Sequence, residues 1–139
     1  MQLTLQKLSF ILLVAYIALL CILCFADFSY IKNAPNYILG VPTDKIVHFL
    51  MFLPFPILIY FSFGRKCKKN LCAAIFSIVT MICGCLFAGA TEIGQRLLTT
   101  YRSCDTGDFI ADGIAITIGC ILILIADLCR IKNEVKDVA

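Results

Sequence analysis

Four stretches of this chain carry almost no charge, and they dictate the solvent in which it folds. Leu8 to Ala26 and Leu71 to Thr91 have no charged residue, Ile46 to Phe63 has only His48, and Phe109 to Ala126 has only Asp112. Each runs 18–21 residues, close to the roughly 20 that span a ~30 Å hydrocarbon core. Backbone polar groups find no water in that core and must pair within their own segment, so each stretch is predicted to be a helix. The expected fold is all-α: a polytopic membrane protein with a four-transmembrane-helix bundle as a single membrane domain, residues 1–139. Its helices are placed at about 8–26, 46–63, 71–91 and 109–126, with outer loops at 27–45 and 97–106. Composition agrees, since 61% of the chain is hydrophobic and 15% charged, against about half and a quarter in soluble domains. A signal-peptide reading of the first stretch, with cleavage at Ala26, asks for a shorter apolar region and a more basic start than Lys7 alone.

Lysine and arginine give the orientation. With both termini in the cytoplasm, the inner side holds Lys7, Arg65, Lys66, Lys68, Lys69, Arg130, Lys132 and Lys136, and the outer side Lys32, Lys45, Arg96 and Arg102. The dense basic turn Arg65–Lys69 carries most weight under the positive-inside rule. The net charge of +3 is thus a signal of topology, and no nucleic-acid partner is implied. A multi-pass membrane location is expected. The nine cysteines show no zinc spacing, and those inside helices read as small apolar residues. Cys104 alone is placed on the outer side, so no disulfide framework is expected.

Local signals refine the helices. The outer loop 27–45 carries Phe28, Tyr30 and Tyr37, rings that favour the headgroup layer. Thr43 is predicted to cap the second helix, with Asp44 in its first turn. Pro54 and Pro56 fall in mid-span and are expected to bend it or break one turn. Gly84 and Ala88 in the third helix, and Ala111, Ala115 and Gly119 in the fourth, are spaced for close helix approach.

Ionisable groups gather at the outer ends. Asp44 and His48 stand one turn apart, Glu92, Gln95 and Arg96 close the third helix, and Arg102 to Asp112 lead into the fourth. Asp105, Asp108 and Asp112 form one stripe that Ala115 and Gly119 continue, so these acids should face other helices. Asp112 lies deepest, where an ionised carboxylate is costly and a functional role is the default reading. The plainer readings are a polar network that locks packing for Asp112, a helix N-cap for Asp105 and a headgroup anchor for Arg102.

These residues also carry a resemblance. Asp44-Lys45-x-x-His48-Phe49, then Glu92-x-x-Gln95, then Arg102-Ser103-x-Asp105-x-x-Asp108-x-x-Ala111 follow in order the pattern of the VanZ-like family of small bacterial membrane proteins. The chain departs at Asp112, where the family has Asn, and at Ala115, where it has Gly. The resemblance implies a four-helix protein of the cell envelope, in a family whose founding member is associated with low-level resistance to the glycopeptide teicoplanin. The location it implies is the bacterial inner membrane, as a multi-pass protein. Desolvation and the neighbouring carboxylate are expected to leave Asp112 protonated unless a metal is present, imitating the family's Asn.

Three functions compete. One is an envelope enzyme acting on a lipid-linked or phosphorylated head group, in which Lys45, Gln95, Arg96, Arg102 and Ser103 hold the head group. Asp44, His48, Glu92, Asp105 and Asp108 are then the candidate catalytic groups, and Glu92, Asp105 and Asp108 the ligands of any divalent cation. The second is a non-catalytic modulator or binder of a lipid-linked precursor or glycopeptide-related ligand. The third is a proton-coupled transporter, disfavoured because transporters place essential acids near the midplane. The residues do not choose between enzyme and binder. His48, Glu92, Arg102, Asp105 and Asp108 are expected to converge around one cavity.

Overall fold

Five helical segments form four membrane-length spans in the computed structural model, which describes residues 2–26, 37–63, 67–99 and 105–136. They are α1 (Gln2–Phe25), α2 (Thr43–Phe52), α3 (Pro54–Phe63), α4 (Asn70–Leu98) and α5 (Thr106–Lys136). Helices α2 and α3 together make one span, Thr43–Phe63. The four-helix all-α bundle is the architecture expected. The one addition is a hairpin of β1 (Tyr37–Ile38) and β2 (Val41–Pro42), which pairs Ile38 with Val41 and Tyr37 with Pro42. Its two turn residues, Leu39 and Gly40, both have positive φ, the conformation that closes a two-residue hairpin. The expected loop 27–45 is therefore shorter. Its last three residues are helical, and Pro42 rather than Thr43 stands at the N-cap, without a side-chain cap bond. Phe28 and Tyr30 lie outside the described residues.

α4 and α5 overrun their uncharged stretches at both ends, whereas α1 and α2 do so only at their starts. α4 continues through Glu92, Gln95 and Arg96 to Leu98, and α5 starts at Thr106 and runs on past Asp127 and Arg130. Charge marks where hydrocarbon ends, and a helix whose polar residues bury against neighbours has no reason to stop there.

Helix α5 is the central element, packed on α4, α2 and α3, while α1 leans mainly on α3. Hydrophobic burial gives little drive between helices in lipid, so small residues that let backbones approach must supply contact. The buried face of α4 is accordingly Ala73, Ser77, Thr80, Gly84, Ala88, Thr91, Glu92 and Gln95. A Cβ built on Gly84 would lie 3.0 Å from Ile116, and one on Gly119 would lie 2.9 Å from Pro56 Cγ and 3.2 Å from the Leu53 carbonyl. Leu20, Cys24, Phe52, Ala88, Ala115, Ile116 and Cys120 fill the centre. Large apolar residues such as Ile11, Ile22, Leu86, Ile114 and Leu122 point outward, where lipid is their solvent.

The second span is interrupted where the prolines require. Pro54 and Pro56 offer no N–H, so the carbonyls of Leu50 and Phe52 lose their donors four residues on. Leu53 itself stays in the right-handed helical region, its N–H still bonded to Phe49 O. The Tyr16 hydroxyl donates to the Met51 carbonyl at this same level, which gives the interruption an outside partner from α1. One cysteine expectation is revised: Cys67 and Cys72 lie within disulfide reach, their Cα atoms 5.5 Å apart. Cys67 precedes α4 and Cys72 lies in its first turn, at the end of the span rather than in its middle.

Close approach at Gly119 is testable. Gly119→Ala should lower the thermal midpoint in detergent, because overpacking against a backbone carbonyl and a proline ring costs about 1–3 kcal/mol. Gly113→Ala, whose Cβ meets nothing within 4 Å, should leave the midpoint unchanged or raise it. A midpoint for Gly119→Ala equal to that of Gly113→Ala would refute the packing account.

Candidate functional site

The end of the bundle where α1 finishes, α2 begins, α4 finishes and α5 begins gathers the polar residues. Asp105 stands immediately before α5 and acts as its N-cap: Oδ1 accepts the Gly107 N–H at 2.8 Å, satisfying one of the helix's unpaired donors. Its other oxygen, Oδ2, accepts from Lys45 Nζ at 2.7 Å, and Lys45 also reaches Asp108 Oδ1 at 3.1 Å and Asp44 at 3.5 Å. Gly107 makes room for that lysine, since a Cβ there would lie 2.5 Å from Lys45 Cε.

One turn deeper lies His48, buried together with Glu92 and Asp112. His48 Nδ1 is 3.2 and 3.4 Å from the two oxygens of Asp112 and 3.8 Å from Glu92 Oε1, and its Nε2 is 3.7 Å from Asp108 Oδ2. Glu92 Oε2 accepts the Asp105 backbone N–H at 3.3 Å. Three carboxylates from two helices thus surround one imidazole. Asp108 belongs to both tiers, one oxygen on Lys45 and the other facing His48.

Several placements differ from the sequence expectation. His48 pairs with Asp112, not with Asp44, whose exposed carboxylate bonds to its neighbour Lys45. An i, i+4 pair shares a helix face, but α5 packs against that face and brings its own acid closer. Lys45 is engaged by carboxylates rather than open to a phosphate. Gln95 is buried and donates to the Cys24 carbonyl at 2.9 Å, tying α4 to the end of α1. Arg96 is exposed. Arg102 and Ser103 lie outside the described residues, so only four of the five residues expected to converge can be placed, and His48, Glu92, Asp105 and Asp108 do come together. Asp105 and Asp108 belong to the tier on Lys45, and His48 and Glu92 to the deeper one, with Asp108 shared; an apolar groove of the bundle lies between α1 and α2, beside Tyr16 and Val47.

A second polar cluster, at the opposite end of α5, escaped sequence reading. Buried Asp127 accepts from the Tyr60 hydroxyl at 2.8 Å and from Arg130 at 2.7 Å, and Arg130 also donates to Glu134 and to the Cys67 carbonyl. Asp127 had marked the end of an uncharged stretch. Extending the α5 stripe from Gly119 through Ile123, also buried, reaches it and could have found it. Its bonds tie α5 to α3 through Tyr60 and to the segment before α4 through the Cys67 carbonyl, which is structural work.

Of these groups Asp105 lies outside the spans. The Lys45 ammonium beside it, helped by the Gly107 N–H, holds its carboxyl below the ordinary carboxylate range. A depressed folded pKa means that its contribution is present above the unfolded value, about pH 4, and is lost as pH falls through the folded one. Thermal midpoints recorded between pH 6 and pH 3 should therefore fall less steeply for Asp105→Asn than for the parent. Parallel curves would show that the pairing does not matter to folding.

The family model described as VanZ/LLP1 matches residues 10–127 of the chain. No curated protein and no solved structure matches it.

Proposed function

The chain belongs to the VanZ/LLP1 family, and from that premise we propose that it is an envelope membrane protein whose outer-face polar site handles a phosphorylated or lipid-linked head group. Through that site it alters susceptibility to glycopeptides of the teicoplanin kind. The observation that carries this reading is the convergence of Lys45 and His48 from α2, Glu92 from α4, Asp105 just before α5 and Asp108 and Asp112 from α5 at one end of four apolar spans. Ionisable groups at membrane depth are costly, and four carboxylates gathered on one imidazole and one ammonium are more than packing needs. Arg96 is exposed near the end of α4, where a head group at the leaflet surface would meet it. Lys45 reaches an anion by exchanging it for Asp105 or Asp108.

A non-catalytic modulator uses the same site without turnover, and product formation from a lipid-linked substrate distinguishes the two. Transport is the weaker alternative. Asp127 puts a second acid at the far end of α5, but residues 113–126 between the clusters hold no acidic or basic side chain, so no relay of acids runs along this helix through the middle.

We infer the inner membrane of a bacterium, with both termini and the Arg65–Lys69 turn in the cytoplasm, from the lysine and arginine bias. Thiol labelling from outside, on a background without other reactive cysteines, should reach Arg102→Cys but not Lys66→Cys; the reverse pattern would sink this orientation. It also puts Cys67 and Cys72 on the reducing side, where disulfides are rare. An intact bond between them in cells would count against it.

The functional reading is tested by expressing the protein in a teicoplanin-susceptible bacterium. The wild type should raise the inhibitory concentration, Asp108→Asn should abolish the rise at equal amounts of folded protein, and Asp112→Asn should keep it. A wild type without effect, or an Asp108→Asn variant as effective as the wild type, would overturn it.

A further inference from the structure

Glu92 poses a problem that the bundle does not answer. Its side chain is 3% exposed, and among the described residues Oε1 has no hydrogen-bond partner. A buried carboxylate oxygen left in that state costs several kcal/mol, and such orphans in native structures commonly mark an ion or water. Oε1 lies 3.8 Å from His48 Nδ1, and Asp108 Oδ2 lies 3.7 Å from Nε2 of the same ring. One ligand atom from each of His48, Glu92 and Asp108 falls within 4.8 Å of the others. Donors held at roughly 2.0–2.2 Å from one centre stand about 3.0–3.6 Å apart at tetrahedral or right angles, so closing this set needs side-chain shifts of about an ångström or less.

We propose that His48, Glu92 and Asp108 bind one divalent first-row transition cation, with Asp112 positioning the histidine. The donor set is one imidazole and two carboxylates, which suits Mn2+, Fe2+ or Zn2+ and gives no thiolate to select softer ions. Asp112 takes the role that a carboxylate plays behind a metal-bound histidine: it accepts from the Nδ1–H, fixes the tautomer and frees Nε2, on the Asp108 side, for the metal. Charge balance points the same way. Lys45 already answers Asp105 and the outer oxygen of Asp108, so the trio Asp44, Asp105 and Asp108, which also has the spacing of a cation site, holds an ammonium instead. The deeper trio has no such cation among the described residues, and three carboxylates stand around one imidazole. This changes the ligand set expected from the sequence: Asp105 leaves it and His48 enters.

The departure from the family pattern fits this arrangement. Asn and Asp both offer an oxygen to an imidazole N–H, so either residue at position 112 keeps the ring in place, and Asp adds a charge that strengthens the ligand.

The proposal stands on these side chains and does not depend on which head group the protein meets. The test uses the full chain in detergent micelles, stripped with chelator and titrated with Mn2+, free Mn2+ being read by electron paramagnetic resonance; thiols bind this ion weakly, which keeps the nine cysteines from interfering. One saturable site per chain is expected, displaced by Zn2+. Glu92→Gln should abolish it, Asp112→Leu should weaken it about 10–100-fold, and Asp112→Asn should stay within tenfold of wild type. Glu134→Gln, at the other end of α5, should bind as wild type does. Helicity and elution volume report folding, and if Glu92→Gln fails to fold, the more exposed Asp108→Asn decides. No saturable binding by the wild type overturns the proposal, as does binding unchanged in Glu92→Gln or Asp108→Asn. Cation binding with no effect on susceptibility would keep the site and remove the function proposed above.

Discussion

In lipid, an apolar side chain gains nothing by turning inward, so this bundle depends on polar bonds that have no alternative partner. Two groups of them sit on α5. Near its start, Asp112 bonds His48 of α2; fifteen residues later, or about 22 Å along the axis, Asp127 bonds Tyr60 of α3 and Arg130. Each carboxylate would be stranded if its helix turned or slid. Together they set the rotation and height of α5 against the second span, and the small residues between them, Ala115 and Gly119, bring the backbones close enough for both to form. Burial of charge, a liability in most contexts, here specifies one arrangement.

Much of this was legible in the chain because lipid leaves so few options. Stretches without charge gave the helices, proline gave the interruption, and the spacing of Asp105, Asp108, Asp112, Ala115 and Gly119 gave the face of α5 that turns inward. Partner identity was less legible. Nothing in the spacing of Asp44 and His48 shows that a neighbouring helix will place Asp112 against the ring, because that distance depends on interhelical rotation. Gln95 likewise looked like a site residue from its motif and turns out to bond a backbone carbonyl of α1. Asp127 was missed for a different reason: charge was used as a boundary marker, and a buried charge defeats that rule.

The two tiers of the polar end divide the chemistry. The upper one, Lys45 with Asp44, Asp105 and Asp108, is partly exposed and exchanges partners cheaply, as ion pairs near water do. The lower one, His48 with Glu92 and Asp112, is dry and holds its partners firmly. Asp108 is shared, so a ligand that draws Lys45 away changes the charge felt by His48. Membership in the VanZ/LLP1 family gives the setting, and this coupling gives the setting a physical means of response.

The proline interruption divides the second span into two levers with separate anchors. α2 is fastened through His48 and Lys45, α3 through Tyr60, and between them two backbone rungs are missing while the chain keeps its helical course. A helix lacking rungs bends at lower cost there than elsewhere. Displacement of α2 by a molecule arriving at the leaflet surface can therefore be absorbed at Leu53, leaving the clasp around Asp127 undisturbed. Tyr16, whose hydroxyl grips Met51 beside the joint, is placed to feel that bend and pass it to α1.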